Sequence, residues 1–336
     1  MNTPVIIRSV NENNIEDVLR EMLDNIIWHE LVKPNSRVVI KPNLSAETKD
    51  KAPHSNSDPL IIDALLKILK EVTDEIAIVE SNGLRYEADL AFKVTGLEPI
   101  CNKYNVPFVN LTHHQEKSVN HKIFDRYKTK FSNILLDADV VINIPVIKTH
   151  ALTVLTGAVK NLWGCVPQYD RILMHKYLDR LLADLINIIK PQINIMDGIL
   201  CSEGRGPTSG TPRRLNLLLV SRDAVALDAT TMRLIGFDPF TSRPLVLAAK
   251  KNYGKINKED IMIDGNFEKY KVEFVPPISD IAVKMMNYFT RYRFFTHQIL
   301  INPWIFKVVK KVVVILRKIG ILNDTPEAPT KQYSLY

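Results

Sequence analysis

Runs of apolar residues alternate with longer helical patterns along the first 235 residues. Most of these runs are continuous Val, Ile and Leu rather than alternating, which is typical of strands covered on both faces. The predicted strands are Pro4–Arg8, Arg37–Lys41, Glu75–Glu80, Val106–Leu111, Asp139–Pro145, Ile193–Met196 and Leu215–Val220. The predicted helices are Asn14–Leu31, Asp58–Val72, Leu178–Ile189 and Asp223–Ile235. This alternation predicts an α/β fold with a mostly parallel sheet and crossover helices.

The chain is longer than a usual single domain, and its patterns divide it into three parts. Residues 1–275 are expected to form the α/β domain, as one body or as two lobes. Residues 276–322 form a basic segment with an amphipathic helical pattern, and residues 323–336 form a tail.

In parallel sheets, ligands bind at the edge where the strands end. Five predicted strands end in polar residues that could bind a ligand: Lys41 with Asn43, Glu80–Gly83, Lys148–His150, Asp197 with Gly198, and Ser221–Asp223. Because these ends converge at one edge of the sheet, the sequence predicts that the site lies there.

Residues 143–167 are the densest in candidate chemistry. A short helix over Thr153–Asn161 would direct free N–H groups at the loop that holds Lys148 and His150, which favours an anion. Lys148 and Lys160 could then hold a carboxylate or phosphate while His150 moves protons. A surface lysine and a hydrogen-bonded loop histidine are the plain alternative.

A glycine-rich loop follows the sixth predicted strand. Gly204, Gly206 and Gly210 let the backbone approach a ligand, and successive N–H groups could form an anion nest. The loop lacks the Walker pattern, and it is not a dinucleotide fingerprint because a strand follows it. An ordinary long loop is an equal alternative.

Charge and cysteine content narrow the class of protein. The net charge is +7, but eight basic residues and no acidic residue lie between positions 281 and 320, which leaves the rest of the chain at −1. A nucleic-acid-binding body is therefore not expected. The three cysteines are far apart, so a reducing compartment is expected and an intrinsic iron–sulfur cluster is not. The N-terminal residues show no secretory leader, which favours a cytoplasmic protein.

The basic segment combines cations with apolar and aromatic residues. This pattern is typical of a helix lying at an anionic membrane surface, and its charges argue against a transmembrane helix. The residues expected to contact the membrane are Trp304, Lys307, Lys310, Lys311, Arg317 and Lys318. The alternative is a helix that packs on the body or on a second copy of the chain in a homodimer.

An ordered set of motifs resembles the family of proteins with domain of unknown function 362. The set consists of Lys41–Asn43, Lys148–His150, Thr156–Ala158, Lys160 with Asn161 and Gly164, Asp197 with Gly198, Gly206 with Pro207 and Gly210, and Asp223–Asp228. Many members carry a ferredoxin-like iron–sulfur module, which implies redox work. This chain lacks the cysteines for it, so the resemblance implies an external electron donor.

A second, weaker resemblance is to the lactate racemase family around residues 150–160. In that family a lysine tethers a nickel-pincer cofactor, and histidines stand nearby. His150, Gly157, Lys160 and His175 occur in similar order and spacing. The resemblance implies that His150 and His175 are candidate metal ligands.

Together these patterns predict an enzyme, of redox or isomerase type, that acts on a small anionic substrate at the cytoplasmic membrane surface. The substrate would be phosphorylated or carboxylated, or linked to a lipid. The catalytic candidates are His150, Lys160 and Lys148, and the candidates for substrate or anion binding are Lys41, Asn43, Thr156, Gly157, Asn161, Gly204, Gly206, Gly210 and Asp197. A racemase or epimerase with a lysine-tethered metal cofactor and a non-catalytic membrane-associated scaffold are the alternatives.

Overall fold

The structure is a computed structural model that describes residues 4–83, 86–168 and 170–278, together with Ile305, Val308, Lys311, Val312 and Tyr333. The strands are β1 (Val5–Ser9), β2 (Val38–Pro42), β3 (Ile76–Glu80), β4 (Phe108–Asn110), β5 (Lys117–Ser118), β6 (Lys130–Phe131), β7 (Val140–Ile144), β8 (Val146–His150), β9 (Val154–Thr156), β10 (Ile193–Glu203), β11 (Thr211–Ser221) and β12 (Ile263–Asp264). The α-helices are α1 (Ile15–Asn25), α2 (Ala52–Ser55), α3 (Pro59–Lys70), α4 (Ala88–Thr95), α5 (Leu97–Tyr104), α6 (Lys122–Arg126), α7 (Asn133–Leu136), α8 (Ala158–Asn161), α9 (Leu178–Ile189), α10 (Ala224–Leu234), α11 (Arg243–Lys250) and α12 (Phe267–Tyr270).

The central sheet has the order β12-β1-β11-β10-β7-β2-β3-β4. Its middle is parallel: β10 pairs with β7, β7 with β2, β2 with β3, and β3 with β4. Strand β11 runs antiparallel to both β10 and β1. Strand β8 pairs in parallel with β10 and in antiparallel fashion with β9. This confirms the predicted α/β fold with a mainly parallel sheet.

Both faces of the sheet are buried. Successive residues of one strand enter different hydrophobic clusters, as Val39 and Ile40 do in β2. Helices α1, α3 and α5 pack together over one face, and α8, α9, α10 and α11 over the other. This double covering is why the strands are continuous runs of Val, Ile and Leu.

All seven predicted strands are confirmed, as are the four predicted helices. The residues predicted to start two of these helices are also confirmed. The Asp58 side chain accepts a hydrogen bond from the Leu60 N–H ahead of α3, and Asp223 accepts from Val225 and Ala226 ahead of α10. Both are side-chain caps that satisfy otherwise unpaired helix N–H groups.

The prediction of a helix over 153–161 was wrong in its first half. Residues Val154–Thr156 form the strand β9, and only Ala158–Asn161 are helical. The prediction that a strand ends before Asp197 was also wrong, because β10 runs on to Glu203 and pairs with β11 as a long hairpin. The glycine-rich loop is therefore the tip of this hairpin.

Most of the predicted membrane segment, including Trp304, Lys307, Lys310, Arg317 and Lys318, lies outside the described residues. Lys311 is described and is exposed, as are the apolar side chains of Val308 and Val312. Among the residues that the structure describes, no helix is long and apolar enough to cross a membrane.

Candidate functional site

A pocket of about 360 Å³ opens at the edge where the parallel strands end. Residues that follow β2, β3 and β7 meet there with the tip of the β10–β11 hairpin, as expected for a parallel sheet. The pocket is lined by Asn43, Leu44, Ser45, Glu80, Gly83, Tyr86, Lys148, His150, Thr156, Lys160, Asn161, Trp163, Gly164, Arg171, Ile172, His175, Pro207 and Thr208. The structure thus brings Lys148, His150 and Lys160 into one cavity.

Lys160 lies on the short helix α8 and is partly exposed to the pocket. Its ammonium group has no hydrogen bond or ion pair with any residue that the structure describes. Burial, and then the charge of Arg171, lower the pKa of Lys160 to about 7, with a smaller contribution from Lys41 and an opposing one from Glu80. The pocket therefore contains a lysine without an internal counterion.

Lys148 has a different environment, although its side chain lines the same pocket. Its Nζ donates to Asn43 Oδ1 at 2.6 Å, to Ser55 O at 2.6 Å and to Ser45 Oγ at 3.0 Å. An ammonium group has three donors, so all of them are used within the protein. Burial and the charge of Lys160 lower the pKa of Lys148 to about 7, whereas its three acceptors favour the charged form.

Lys41 lies behind the pocket wall rather than in it. It is fully buried, and its Nζ donates to Glu80 Oε2 at 2.6 Å and to Pro42 O at 2.7 Å. A Cβ at Gly164 would overlap Glu80 and Lys41, so a glycine is required for this pair to lie against the loop. Lys41 therefore contributes an internal ion pair, while Glu80 lines the pocket.

Arg171 forms part of the pocket wall opposite the strand ends. Its guanidinium donates to Ser81 Oγ, to Asn82 O at 3.0 Å and to Val166 O at 2.7 Å, and its Nη2 to Tyr86 Oη at 3.1 Å. Burial raises the pKa of Tyr86 to about 12, against the opposing effect of Arg171. Arg171 thus fixes the loop after β3 and adds a positive charge beside the cavity.

A chain of buried asparagines connects the pocket to the sheet. Asn43 Nδ2 donates to Asn161 Oδ1 at 2.8 Å, Asn161 Nδ2 to Asn143 Oδ1 at 2.8 Å, and Asn143 Nδ2 to Asn194 Oδ1 at 3.0 Å. Since Lys148 donates to Asn43, the chain begins at a cation and crosses β2, β7 and β10. The predicted binding residues Asn43 and Asn161 therefore use their amide groups on each other.

The two histidines of the pocket differ in their hydrogen bonds. His150 Nδ1 accepts from the Leu152 N–H at 3.1 Å, so the neutral ring carries its proton on Nε2. His175 contacts Trp163, and its ring nitrogens have no hydrogen bond to a described residue. Burial and the nearby charge of Lys160 lower the pKa of His150 well below its usual value and that of His175 to about 3. Both rings are neutral at neutral pH.

The N-terminus of α8 is not an open anion site, contrary to the expectation from sequence. The Asp228 carboxylate accepts from the Ala158 N–H at 2.6 Å and from the Val159 N–H at 3.0 Å. A Cβ at Gly157 would overlap this carboxylate, which explains the glycine. Burial raises the pKa of Asp228 to about 7, and the two N–H groups act in the opposite direction. The protein's own carboxylate therefore takes the place predicted for a ligand.

Thr156 has a buried hydroxyl without a hydrogen-bond partner among the described residues. Its side chain lines the pocket and is 4% exposed. A buried hydroxyl without a partner costs free energy unless a ligand or water satisfies it. The Thr156 oxygen has almost no accessible surface, so it remains an unsatisfied group in the wall of the pocket.

The hairpin tip closes one side of the pocket through Pro207 and Thr208. Gly204 has a φ of +75°, and a Cβ at Gly206 would overlap the backbone oxygen of Thr149. A Cβ at Gly210 would overlap Ser202 and Glu203. These glycines allow the tip to pack against β8, and none of the three lines the pocket.

Asp197 lies away from the pocket lining. Its Oδ2 accepts from the Asp58 N–H at 2.8 Å, and its Oδ1 from the Ile199 N–H at 2.9 Å. Burial, followed by the charge of Asp58, raises the pKa of Asp197 to about 7. The carboxylate therefore joins β10 to the start of α3.

Two histidines, His150 and His175, line the pocket as the candidate metal ligands. Within the described ranges there is no group of three or more His, Cys, Asp or Glu residues placed to hold a metal ion.

Sequence reasoning named Glu80 only as a polar strand end that could bind a ligand, and it did not single out Tyr86, Trp163 or Arg171. Glu80 had a usable signal, because it ends a buried strand at the edge where ligands bind. Tyr86 lies on a loop, and Trp163 and Arg171 lie in short 3-10 helices, and no spacing in the sequence relates them to the strand ends.

The chain is similar to several known proteins. The family model for domain of unknown function 362 matches residues 38–233, which is more than half of the chain. A thylakoid-associated protein of Synechocystis sp. is 30% identical over 221 residues, which cover 62% of this chain and 66% of that protein. The chain therefore spans just under two thirds of this relative's length.

Two solved structures show a more distant similarity. The crystal structure of a protein from Thermotoga maritima is 13% identical with a TM-score of 0.39, and the match covers 64% of this chain and 56% of that one. The lactate racemase apoprotein from Thermoanaerobacterium thermosaccharolyticum is 12% identical with a TM-score of 0.38, over 58% of this chain and 50% of that one. At these TM-scores neither structure adds to the assignment of fold or site.

Proposed function

The chain belongs to the family of proteins with domain of unknown function 362, and from this premise we propose that it is an enzyme that acts on a small carboxylated or phosphorylated substrate. The family assignment does not specify a reaction, so the proposal rests on the chemistry of the pocket. A volume of about 360 Å³ lies at the small end of the range for small-molecule sites.

The observation that carries the proposal is the contrast between Lys160 and the other cations. Lys41 is paired with Glu80, Lys148 has three acceptors, and Arg171 has four. Lys160 has none among the described residues, and the nearby Thr156 hydroxyl also lacks a partner. An anion would supply the missing acceptor of Lys160 and offset the excess positive charge of the pocket.

The histidines suggest a division of roles. A neutral His150 with its proton on Nε2 is a hydrogen-bond donor, so it suits an oxyanion or carboxylate better than the removal of a proton. His175 has unpaired ring nitrogens and is therefore the better candidate for proton transfer. An anionic ligand would raise the pKa of His175 toward the range in which it can exchange protons.

We place this activity at a membrane surface. The support is the basic and aromatic composition of residues 281–320, together with the name of a relative that is described as thylakoid-associated. Basic residues attract an anionic surface, which would bring a lipid-linked substrate to the pocket.

Binding of inorganic phosphate and of malonate, measured by calorimetry and by the shift in Tm, tests the proposed anion site. Lys160→Ala should weaken binding at least about tenfold, since a charge-assisted contact contributes about 1.5–3 kcal/mol. Lys190→Ala removes an exposed lysine that does not line the pocket and is the matched control. Equal affinity in the two variants would contradict the proposal.

Turnover separates an enzyme from a scaffold. If the protein is a scaffold, the variant His175→Ala should still bind the anion, and no activity is lost. If the protein is an enzyme, His175→Ala should still bind the substrate but no longer convert it. A racemase or epimerase with a lysine-tethered cofactor is the other enzyme candidate, because His150, Lys160 and His175 line one cavity. Native mass spectrometry with metal analysis would detect such an adduct on Lys160.

A further inference from the structure

The lysines around the pocket differ in one property that matters for nucleophilic chemistry. The nitrogens of Lys41 and Lys148 are fully buried and surrounded by acceptors, so neither is open to an electrophile in the cavity. The Lys160 nitrogen is reachable from the cavity and has no acceptor among the described residues. A lysine that is desolvated beside other cations is in the environment that favours a free amine.

We propose that the amine of Lys160 is a nucleophile that forms an imine with the carbonyl group of a small 2-oxo acid. The inference rests on the proposed function, because it names the substrate class of the same anion site. It also requires the pocket to hold the carboxylate next to the reacting carbon. The His150 Nε2–H is the donor available for that carboxylate.

The electrostatic environment of Lys160 also favours a nucleophilic amine. Burial and the charge of Arg171 lower the pKa of Lys160 to about 7, so a large fraction of the side chain is a neutral amine at neutral pH. At pH 7, only about one in 2,500 exposed lysines with a pKa of about 10.4 is neutral. The neutral fraction of Lys160 is therefore about a thousandfold larger.

The step balances without any redox partner. The amine lone pair forms a C–N bond to the carbonyl carbon, and the C=O π electrons move to oxygen, which takes a proton from the nitrogen. The resulting hydroxyl leaves as water with a second proton, and a C=N bond replaces the C–O bond. His175, whose ring nitrogens have no described partner, lies in the cavity to relay these protons.

A 2-oxo acid fits this arrangement better than an anion with a distant carbonyl. Its carboxylate is bonded to the carbonyl carbon, so one lysine nitrogen lies close to both groups. The imine nitrogen is cationic when protonated and still offsets the carboxylate charge. A small cavity with one unpaired lysine can therefore hold the substrate before and after the bond forms.

Reductive trapping tests the inference. The full-length protein is incubated at pH 7 with glyoxylate, pyruvate or 2-oxoglutarate and cyanoborohydride, and the modified lysines are identified by peptide mass spectrometry. Lys160 should be modified at least about a hundredfold faster than an exposed lysine such as Lys190, since its lowered pKa raises the neutral fraction of Lys160 itself. Lys160→Arg keeps the positive charge and should still bind malonate, but it should give no adduct at this position.

The outcomes separate the two proposals. Malonate binding that depends on Lys160, without an adduct on Lys160 from any of the three acids, overturns the imine and leaves the anion site intact. Modification of Lys160 at the same rate as Lys190 overturns the imine as well. Failure of both binding and trapping overturns both proposals.

Discussion

At the scale of single residues, the site combines cations that the protein satisfies with one that it does not. Lys148 and Arg171 hold loops in place, so their contacts are structural as well as electrostatic. Lys160 has no such contact with a described residue, and because it is partly exposed to the pocket, its unpaired ammonium costs less than the about 1–3 kcal/mol of a fully buried polar group. Such a cost is typical of functional positions, where stability is lower than it could be.

Replacing Lys160 with Met should therefore stabilise the ligand-free protein. The pKa of Lys160 falls from 10.5 to about 7 on folding, so the unfolded chain binds more protons between these pH values. Stability of the wild type should rise with pH across this window, and the penalty is largest below pH 7. Melting curves should show a gain of about 1–2 kcal/mol for Lys160→Met at pH 6, and a smaller gain at pH 9.

Lys148→Met is the matched comparison and should have the opposite effect. It would leave the Asn43 and Ser55 oxygens without their donor, so Tm should fall at both pH values. A lower Tm for Lys160→Met at pH 6 would show that Lys160 is a structural residue.

The convergence of Lys148, His150 and Lys160 was predictable, because all three follow one buried strand and strand ends share an edge. Their individual roles were not. Three acceptors surround Lys148 because Asn43, Ser45 and Ser55 come from another part of the chain. Such long-range contacts leave no periodic signal in the sequence.

At the scale of elements, the chain of asparagines fixes α8 relative to the sheet. Asn161 is its centre, since its amide joins Asn43 and Asn143 and also donates to the Lys41 oxygen at 3.2 Å. The same short helix carries Lys160. The position of the unpaired lysine thus depends on hydrogen bonds made by its neighbour.

Asn161→Ala should destabilise the fold and disturb anion binding together. Loss of the amide leaves buried groups of Asn43 and Asn143 without partners, at about 1–3 kcal/mol each. We expect a decrease of about 2–4 kcal/mol in the free energy of unfolding, measured with denaturant. Asn187→Ala, an exposed asparagine on α9, is the control and should change stability by less than about 0.5 kcal/mol. A neutral Asn161→Ala would contradict the structural role of the chain.

Long strands and helices were predictable from the sequence because their apolar patterns are continuous. The short elements near the site were not. Residues 153–156 read as the start of a helix, but Thr153 and Thr156 are β-branched and suit an extended chain, and Val154 has a φ of +67°, which does not fit a right-handed helix. The anion site predicted at the helix start failed for a tertiary reason, because Asp228 from α10 fills it.

At the scale of the whole molecule, charge is distributed unevenly. The eight basic residues between positions 281 and 320 account for more than the net charge of +7. Most of this segment lies outside the described residues, but the chain returns to the body at Tyr333, whose N–H donates to the Phe240 oxygen at 3.0 Å. Substitutions within the segment leave this contact in place, whereas deletion of residues 281–336 also removes it.

We expect the basic segment, rather than the body, to bind anionic membranes. Basic residues near such a surface contribute about 1 kcal/mol each, so replacing Lys307, Lys310 and Lys311 with Gln should weaken vesicle binding by about a hundredfold at low salt. Sedimentation with vesicles of varied anionic content measures this, and deletion of residues 281–336 should abolish binding. Rising salt should weaken binding by the intact chain only in part, because burial of apolar side chains is not screened. If the segment instead joins two copies of the chain, full-length protein would stay in the supernatant with anionic vesicles, and the deletion would change the oligomeric state.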